Sequence, residues 1–375
     1  MSRRPRIKLA TIAERLGVST ATVSLALRDS PDVAAKTRAM VKAEASRLGY
    51  IPNRRAASLR TQRSGIVGVV VRDVINPFYG EILRAVEEEL DRERRTFVLS
   101  NHYDDLAKQG QFIETLLQLG ADGVIMSPAI GTKPADVQLA IRNGMPVVLV
   151  ARSLPGAGVP TFRGDDAHGI SLATRHLVAL GHERIAMVGG TDFTSTGRDR
   201  YRGYVEALEH AGLKADPALR LPGPRNKREG FEMATEFLSL RQRPTAAVCW
   251  NDLTAIGLMN GIARAGLVPG EDVSVTGYDD LEEAAIATPP LTTVWNGQHE
   301  VGRLAARALL NAMPALPRGG EGMAEAAEVT AEVAEAVDAF PPDASDMPAP
   351  VADADGVTLV RPVLRIRDST HRVRG

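Results

Sequence analysis

Two pairs of adjacent aspartates, Asp165–Asp166 and Asp279–Asp280, are the first candidates for acid–base chemistry in this chain. Such chemistry needs carboxyl groups that converge on one substrate, whereas neighbouring side chains on an extended segment point to opposite sides. The chain has no Gly-Lys-Ser/Thr run to hold a phosphate, and its histidines show no metal-ligand spacing. These histidines are His102, His168, His176, His182, His210, His299 and His371. We therefore predict that the protein is not an enzyme and uses no metal or cofactor.

Length and composition restrict the class of protein. A chain of 375 residues is expected to form two or three domains. No apolar run approaches the length of a membrane span, and the opening MSRRPRIK lacks the apolar core of a signal peptide. Cys249 is the only cysteine, which excludes an intrachain disulfide and a multi-cysteine zinc site. These features predict a cytoplasmic protein.

The first fifty residues have the pattern of a helix-turn-helix. Residues 9–16 form an amphipathic turn with Ile12 and Ala13 inward, Gly17 suits a left-handed turn, and Ser19 can cap a second helix. A third helix over roughly 35–48 is expected to pack beneath the first two. Helical spacing predicts the inward positions Val18, Thr22, Val23, Ala26 and Leu27 in the second helix and Val41, Ala45 and Leu48 in the third.

Charge favours a nucleic-acid partner for this segment over a small helical domain of another purpose. Residues 1–63 contain 14 Lys and Arg against 4 Asp and Glu, a net charge of +10. The whole chain contains 45 against 46, so the remainder carries −11. A basic head on an acidic body is typical of a module that binds phosphates.

Strand and helix patterns alternate from residue 66 onward. Buried continuous strands that alternate with helices indicate a parallel sheet covered on both faces, and two such sets indicate two lobes. Helical patterns include 79–91 and 108–119. The strand-like runs are IVGVVV, TFVLS, DGVIM and MPVVLV, followed by PTFRG, RIAMVGG, TAAVCW and DVSVTGY.

Several motifs in order resemble the LacI/GalR family of bacterial transcription regulators. They are GVSTATVS, LGYIPNRRAASLRT, HLVALGHERIAMVGG, WNDLTAIG, and SVTGYDD with PPLTTV. The resemblance covers nearly the whole chain except residues 313–356. It implies an all-α helix-turn-helix head and an α/β, two-lobed, periplasmic-binding-protein-like core with parallel sheets, between whose lobes the chain crosses three times.

The resemblance also implies how the head meets DNA. The second helix would lie in the major groove, with Thr20 and Ala21 at the main base-reading positions. Both side chains are small and partly apolar, which favours contacts with thymine methyl groups. Leu25 replaces a commoner arginine, so a lost guanine contact and packing against the hinge both remain open, and Arg28 can supply another contact. The predicted DNA-binding residues are Ser19, Thr20, Ala21, Thr22, Ser24, Leu25, Arg28, Asn53, Arg54, Ala56 and Leu59.

Residues 53–61 match the family's hinge helix. So short a segment is not a stable helix alone and is expected to order when two copies pair over DNA. Leu59 matches a leucine that enters the minor groove, while Arg54, Arg55 and Arg60 would meet phosphates. A paired hinge requires a homodimer, and a two-fold dimer predicts a pseudo-palindromic operator.

Candidate effector contacts lie near the carboxyl ends of strands, where ligands bind in such sheets. Arg200 matches the arginine with which the family holds its effector, and its guanidinium suits paired hydroxyls or a carboxylate. Asn251, Asp279, Phe78 and Tyr79 match other family contacts. Each has a structural alternative: a surface ion pair for Arg200, a helix cap for Asn251, a turn residue for Asp279, and core packing for the two aromatics.

Two local features suggest the chemistry of the effector. Trp250 replaces a small residue before an Asn-Asp pair, and Arg225 lies in a loop where some relatives place an aromatic side chain that stacks on a sugar. One consequence is a charged or acidic effector. Tight binding of neutral sugars only, unaffected by Arg225→Ala, would contradict this hypothesis.

The predicted domains are a helix-turn-helix over 1–52, a hinge over 53–64 and a two-lobed core over 65–375. We assign about 65–160 and 296–312 to the first lobe, and about 161–292 and 357–370 to the second. Residues 313–356 contain 6 Pro, 10 acidic residues and 1 basic residue among many alanines, which predicts a disordered acidic insertion.

These observations predict a transcription regulator, most simply a repressor, whose operator affinity is controlled by a sugar or related metabolite bound between the lobes. Two alternatives come from other classes. A solute-binding protein would have no use for the basic head and would need an export signal. An architectural DNA-bending protein would have no use for the pocket residues.

Overall fold

The computed structural model describes residues 7–51, 63–313, 349–352 and 356–373. The chain divides into an N-terminal unit, described over 7–51 and 63–64, and a larger core unit that begins at Gly65. The predicted hinge residues Asn53, Arg54, Ala56 and Leu59 lie outside the described residues, as do Arg55 and Arg60. In the part that is described, no helix is long and apolar enough to cross a membrane.

Three helices form the N-terminal unit, as the sequence predicts: α1 (Leu9–Leu16), α2 (Thr20–Ala26) and α3 (Ala35–Leu48). Gly17 ends α1 with φ of 63°, and the Ser19 hydroxyl caps α2 by accepting a hydrogen bond from the Thr22 N–H at 3.0 Å. Ile12, Val23 and Val41 are fully buried between the helices. This packing fixes α2 as the exposed second helix of a helix-turn-helix.

Two details of α2 differ from the prediction. The helix ends at Ala26, so the predicted inward residue Leu27 is its C-cap. Thr22 is only half-buried, and its hydroxyl lies 2.9 Å from the Ser19 hydroxyl at the exposed start of the helix.

The first lobe of the core is a seven-stranded sheet. In spatial order its strands are β11 (Val351–Ala352), β12 (Val357–Val360), β5 (Thr161–Gly164), β4 (Val147–Val150), β3 (Gly123–Met126), β1 (Ile66–Val71) and β2 (Thr96–Asn101). All neighbours pair in parallel except β11 with β12. Its helices are α4 (Pro77–Arg92), α5 (Leu106–Leu119), α6 (Pro134–Arg142) and α12 (Gln298–Ala312).

Alternate residues of β1 supply two cores in this lobe. Val69 packs on the α4 and α12 side, whereas Val70 packs with Leu116 of α5 on the opposite face. Both strand residues are fully buried. A parallel strand that is covered on both faces has a continuous apolar sequence. The run IVGVVV therefore predicts a strand that is buried on both faces.

The second lobe repeats this design with a four-stranded parallel sheet. The strand order is β7 (Arg220–Leu221), β6 (Ile185–Val188), β8 (Ala246–Cys249) and β9 (Ser274–Thr276). Helices α7 (Asp166–Ala179) and α8 (Ser195–His210) pack on one face, and α9 (Lys227–Ser239) and α10 (Asp252–Arg264) on the other. A short α11 (Glu282–Ile286) follows β9. Residues Ser369 and His371 extend along β9 through backbone and side-chain hydrogen bonds.

The predicted lobe boundaries were wrong at two strands. Residues 161–164 and 357–360 were predicted to lie in the second lobe, but β5 pairs with β4, and β12 pairs with β5, in the first sheet. The chain therefore crosses after β5, after β10 (Thr293–Trp295) and after β12. Beside these crossings β10 pairs antiparallel with β13 (Val363–Arg365).

The ends of the predicted acidic insertion are also ordered. Met313 is 5% exposed and joins the core of the first lobe beneath α12, and Val351–Ala352 pair with β12. Burial of its apolar side chain stabilises Met313 in place, and pairing with β12 satisfies backbone groups of Val351–Ala352. Residues 314–348 and 353–355 lie outside the described part of the chain.

Candidate effector cleft and DNA-binding head

A cleft lies between the two lobes at the carboxyl ends of their strands. It contains about 610 Å³ of unfilled space, part of it open to solvent. The five predicted effector contacts, Phe78, Tyr79, Arg200, Asn251 and Asp279, all line it. The other lining residues are Arg72, Asn76, Ala151, Arg152, Thr191, Thr194, Thr196, Arg225 and Trp250.

Arg200 is held rigidly at the floor of this cleft. Its Nε donates to Asp166 Oδ1 at 2.7 Å and its Nη1 donates to the Trp250 carbonyl at 2.5 Å. The guanidinium lies between the rings of Trp250 and Tyr278, 4.6 and 3.9 Å from their centroids. With 5% of the residue exposed, Arg200 is not a surface ion pair. Burial lowers the pKa of this guanidinium, but Asp166, Tyr278 and Asp279 together outweigh burial and raise the pKa, so the group stays charged.

Asp279 faces Arg200 from the turn after β9. Its Oδ1 accepts from Asn296 Nδ2 at 3.3 Å and lies 3.8 Å from Arg200 Nη2. Its backbone is in the left-handed region, with φ of 111°, so it is a turn residue as well as a cleft residue. Burial raises the pKa of Asp279 to about 7, with Arg200 opposing the shift. Near neutral pH this carboxyl can therefore accept or donate a hydrogen bond to a ligand hydroxyl.

Asn251 is a helix cap, which was its structural alternative in the sequence. Its Oδ1 accepts from the Thr254 N–H at 2.9 Å and caps α10, and its Nδ2 lies 3.5 Å from the Arg225 carbonyl. Both ends of the side-chain amide are thus occupied within the protein. Asn251 lines the cleft and contacts the Arg225 loop, and its Nδ2 keeps a second N–H that can donate to a ligand.

The two predicted aromatics have different positions in the first lobe. Tyr79 is 5% exposed and belongs to the core, with its hydroxyl 3.4 Å from Ser127 Oγ. Phe78 is half-buried and packs edge-on against the Tyr79 ring, with 5.1 Å between centroids. Phe78 therefore has a face available to the cleft, whereas Tyr79 chiefly supports it.

Sequence reasoning missed the polar cluster on the first-lobe side. Arg72 follows β1 and Arg152 follows β4, and both donate to Asp104, at 3.0 Å and 2.5 Å. Burial raises the pKa of Asp104, but Arg152, the Ile130 N–H and Arg72 together outweigh burial and lower the pKa to about 2. The signal was available, because Arg72 directly follows β1 and Arg152 lies two residues after β4, near strand ends as Asn251 and Asp279 are.

His102 holds this cluster in place. Its ring is fully buried, Nε2 donates to the Ser127 carbonyl at 2.8 Å, and Nδ1 accepts from the Asp104 N–H at 2.9 Å. Burial lowers the pKa of His102, and the two hydrogen bonds require the neutral ring with its proton on Nε2.

The predicted DNA-reading residues of α2 lie at its exposed start. Ser19, Thr20 and Ala21 are exposed, as is Arg28, whose Nε donates to the Ser24 carbonyl at 2.9 Å. Thr22, Ser24 and Leu25 are half-buried. Leu25 packs against the core of the N-terminal unit, a role that neither of its predicted alternatives included. The structure thus leaves the small side chains at the helix start free to approach bases.

A helix-turn-helix and a two-lobed core with a polar cleft together define a ligand-responsive DNA-binding protein. The family model of lacI-family bacterial regulatory proteins matches residues 8–53, and that of periplasmic binding proteins and the sugar-binding domain of the LacI family matches residues 64–333. The chain belongs to the LacI family. It is a DNA-binding transcription regulator controlled by a small-molecule effector, built on the predicted fold.

Individual relatives agree with this assignment. The transcriptional repressor PurR of Pasteurella multocida is 31% identical over 291 residues, covering 78% of this chain and 87% of the relative. The transcriptional regulator GalR of Escherichia coli is 34% identical over 284 residues, covering 76% and 82%. The crystal structure of the lac repressor dimer bound to operator and the anti-inducer ONPF matches with a TM-score of 0.77 and 25% identity, covering 98% of this chain and all of the other. These relatives are regulators, not enzymes.

Proposed function

We propose that this regulator is a cytoplasmic homodimeric repressor whose effector, a sugar or related metabolite, binds in the cleft between the lobes. The observation that carries the proposal is the convergence of residues from both lobes on one cleft: Phe78 and Arg72 from the first lobe, and Arg200 and Asp279 from the second. A ligand that contacts both lobes stabilises the one interlobe angle at which all of its contacts can form. Related chains named as a repressor and as an operator-bound dimer support the repressor and dimer assignments.

On DNA, the start of α2 reads bases in the major groove. Thr20 and Ala21 offer methyl groups to thymine, and Ser19, Thr22 and Ser24 offer short polar contacts. Arg28 binds a phosphate or base one turn later. The hinge residues Asn53, Arg54, Ala56 and Leu59 complete the interface in the minor groove, and a two-fold dimer makes the operator pseudo-palindromic.

In the cleft, the Arg200 guanidinium and the Asp279 carboxyl bind ligand hydroxyls. Because Asp166 and Trp250 already fix Arg200, its orientation requires little ordering when a ligand arrives. The first lobe contributes Phe78 as an apolar wall. Closure changes the angle between lobes, the first lobe passes this change to the hinge, and operator affinity changes.

The test begins with selection of genomic fragments by the purified protein at near-physiological salt, since non-specific phosphate binding falls steeply as salt rises. We expect enrichment of one pseudo-palindrome. Compounds implied by the neighbouring genes are then titrated with and without that operator. Coupling is reciprocal, so operator must change effector affinity by the factor by which effector changes operator affinity. Equal effector affinities in the two titrations, or only sequence-indifferent DNA binding, would overturn the proposal.

A further inference from the structure

Four guanidinium groups line the cleft, against a single lining carboxylate. The arginines are Arg72, Arg152, Arg200 and Arg225, and the carboxylate is Asp279. An excess of one charge in a cleft that a ligand enters attracts a ligand of the opposite charge. The excess matters only where the protein does not already neutralise it, so each arginine has to be matched with its partners.

Three of the four arginines have carboxylate partners beside the cleft. Arg72 and Arg152 share Asp104, and Arg200 binds Asp166. These pairs are partly or fully buried, and their hydrogen bonds fix the guanidinium orientations. Their charges are therefore largely spent within the protein.

Arg225 differs from the other three. Among the described residues its guanidinium has neither a hydrogen bond nor an ion pair, and the side chain is exposed at the cleft. Its backbone, in contrast, is fixed: the N–H donates to Glu229 Oε2 at 2.8 Å and the carbonyl lies 3.5 Å from Asn251 Nδ2. The loop thus holds an uncompensated cation at one end of the cleft.

The inner end of the cleft requires a hydrogen-bond donor from the ligand, not a negative charge. A smaller cavity continues there, sharing Phe78, Thr196 and Arg200 with the main cleft and lined also by Asn296. Asn296 is 3% exposed and uses its Nδ2 for Asp279, which leaves its buried Oδ1 without a donor among the described residues. A buried acceptor without a donor is costly, and a ligand hydroxyl that enters this cavity would satisfy it.

We infer that the effector is a hydroxylated organic anion, with hydroxyls toward Asn296 and Asp279 and a carboxylate or phosphate toward Arg225. The inference rests on the proposed function and specifies its ligand class. Arg72, on the opposite lobe, is 24% exposed in its side chain and lines the same cleft. Because Asp104 and Asp73 already pair with Arg72, the anion is held chiefly from the Arg225 side.

The test is isothermal titration of the purified full-length chain with matched pairs of ligands. Carboxylate pairs are D-gluconate with D-glucitol and D-glucuronate with D-glucose; phosphate pairs are D-glucose 6-phosphate with D-glucose and D-ribose 5-phosphate with D-ribose. We expect the anionic member of at least one pair to bind about tenfold more tightly than its neutral partner, as a charge-assisted hydrogen bond provides. The pairs that show the preference distinguish carboxylate from phosphate.

Two variants assign the preference to a residue. Arg225→Gln is expected to reduce the ratio of the two affinities to within about twofold, because the charge is lost while hydrogen-bonding capacity stays. Arg228→Gln is the matched control, since Arg228 follows in the same segment, is 88% exposed in its side chain, pairs with Glu232 and does not line the cleft. It should keep the preference.

The inference is overturned if no anionic member binds more tightly than its neutral partner, or if Arg225→Gln keeps the preference. A neutral ligand that changes operator affinity would overturn it while the proposed function stands. Failure of the operator titration would overturn the proposed function separately.

Discussion

Arg163, on the last strand that the first lobe forms before the chain crosses, makes an ion pair with Asp199 on α8 of the second lobe. The same Nη2 lies 3.0 Å from Asp166 Oδ2, and Arg163 is 4% exposed. Close by, the Ser153 N–H of the first lobe donates to Ser195 Oγ of the second at 3.0 Å. These contacts clasp the lobes together directly beside the cleft.

Loss of the clasp should destabilise the core. Arg163→Gln leaves the buried carboxylate of Asp166 with one cation fewer, and removal of one partner from a buried pair costs about 3 kcal/mol. Asp199→Asn should cost less, about 1 kcal/mol, because Asp199 is partly exposed and Arg163 keeps Asp166. Urea unfolding of the core transition measures both. Arg175→Gln, at an exposed position on α7, is the control and should stay within about 0.5 kcal/mol of the parent. An Arg163→Gln variant as stable as the control would show that the clasp contributes nothing.

Asp279 should make stability depend on pH. Its pKa is about 7 in the folded chain against 3.8 ordinarily, so the folded state binds the proton more tightly. Its contribution to the free energy of unfolding is therefore fully present below pH 4 and falls as pH rises toward 7, by at most about 4 kcal/mol. Asp279→Asn removes this dependence.

The measurement is the difference in unfolding free energy between Asp279→Asn and the parent from pH 4.5 to 8, without effector. The difference cancels the titration of His102, whose pKa burial lowers in both proteins. It reports Asp279 together with the part of the raised Asp252 pKa that the Asp279 charge causes. We expect the variant to gain stability relative to the parent as pH rises. Parallel curves would show that the Asp279 carboxyl is as acidic in the folded chain as in the unfolded chain.

The sequence predicts which segments are strands better than which sheet they join. The segments at 161–164 and 357–360 were both assigned to the second lobe. The first was predicted as a strand from its place in the alternation of strand and helix patterns, although Arg163 interrupts its apolar run. Their assignment to the second lobe was wrong because apolar strands of both lobes have the same texture, and the choice of sheet depends on long-range pairing of Val357 with Thr161. The three crossings were right in number, and the one between 292 and 296 was right in position, whereas the crossings near β5 and β12 were misplaced.

The residues of the cleft were also only partly predictable from the sequence. The strand-end rule found Asp279, but a cleft residue cannot be distinguished from a helix cap in sequence, and Asn251 is both. Arg72 and Arg152 were missed since their significance depends on Asp104, which lies far from both in sequence. No motif marks Arg163 for a similar reason, because its partner Asp199 lies 36 residues away on a helix of the second lobe.

Variants of Thr20 and Arg28 should distinguish base contacts from phosphate contacts in the helix-turn-helix. Thr20→Ala removes one methyl and a hydroxyl at the start of α2, so affinity should fall by about 1 kcal/mol at the selected operator and base preference should relax at one position per half-site. Arg28→Ala should weaken binding to all sequences equally and reduce the salt slope by about one unit if Arg28 binds a phosphate. Titrations of operator and scrambled DNA at several salt concentrations distinguish the two. A sequence-specific loss in Arg28→Ala would assign it a base contact.

Gly190 should be essential to the position of Trp250. A Cβ at Gly190 would lie 2.1 Å from Trp250 Cε3, and its φ is 85°. Gly190→Ala must therefore displace the indole that stacks on Arg200. Gly212→Ala is the matched control, because Gly212 has a similar φ of 73° and open space around it. Both variants should lose about 1 kcal/mol from backbone strain.

Only Gly190→Ala should shift the tryptophan emission and weaken effector binding, by about tenfold or more, since one face of the Arg200 site moves. The emission readout needs no effector, and Trp295 is the only other tryptophan in the chain. If both variants lose equal stability and keep the parent emission, Trp250 adapts to the methyl group without leaving Arg200. The Trp250 side of the cleft would then be adaptable, while Arg200 would keep its hydrogen bonds to Asp166 and the Trp250 carbonyl.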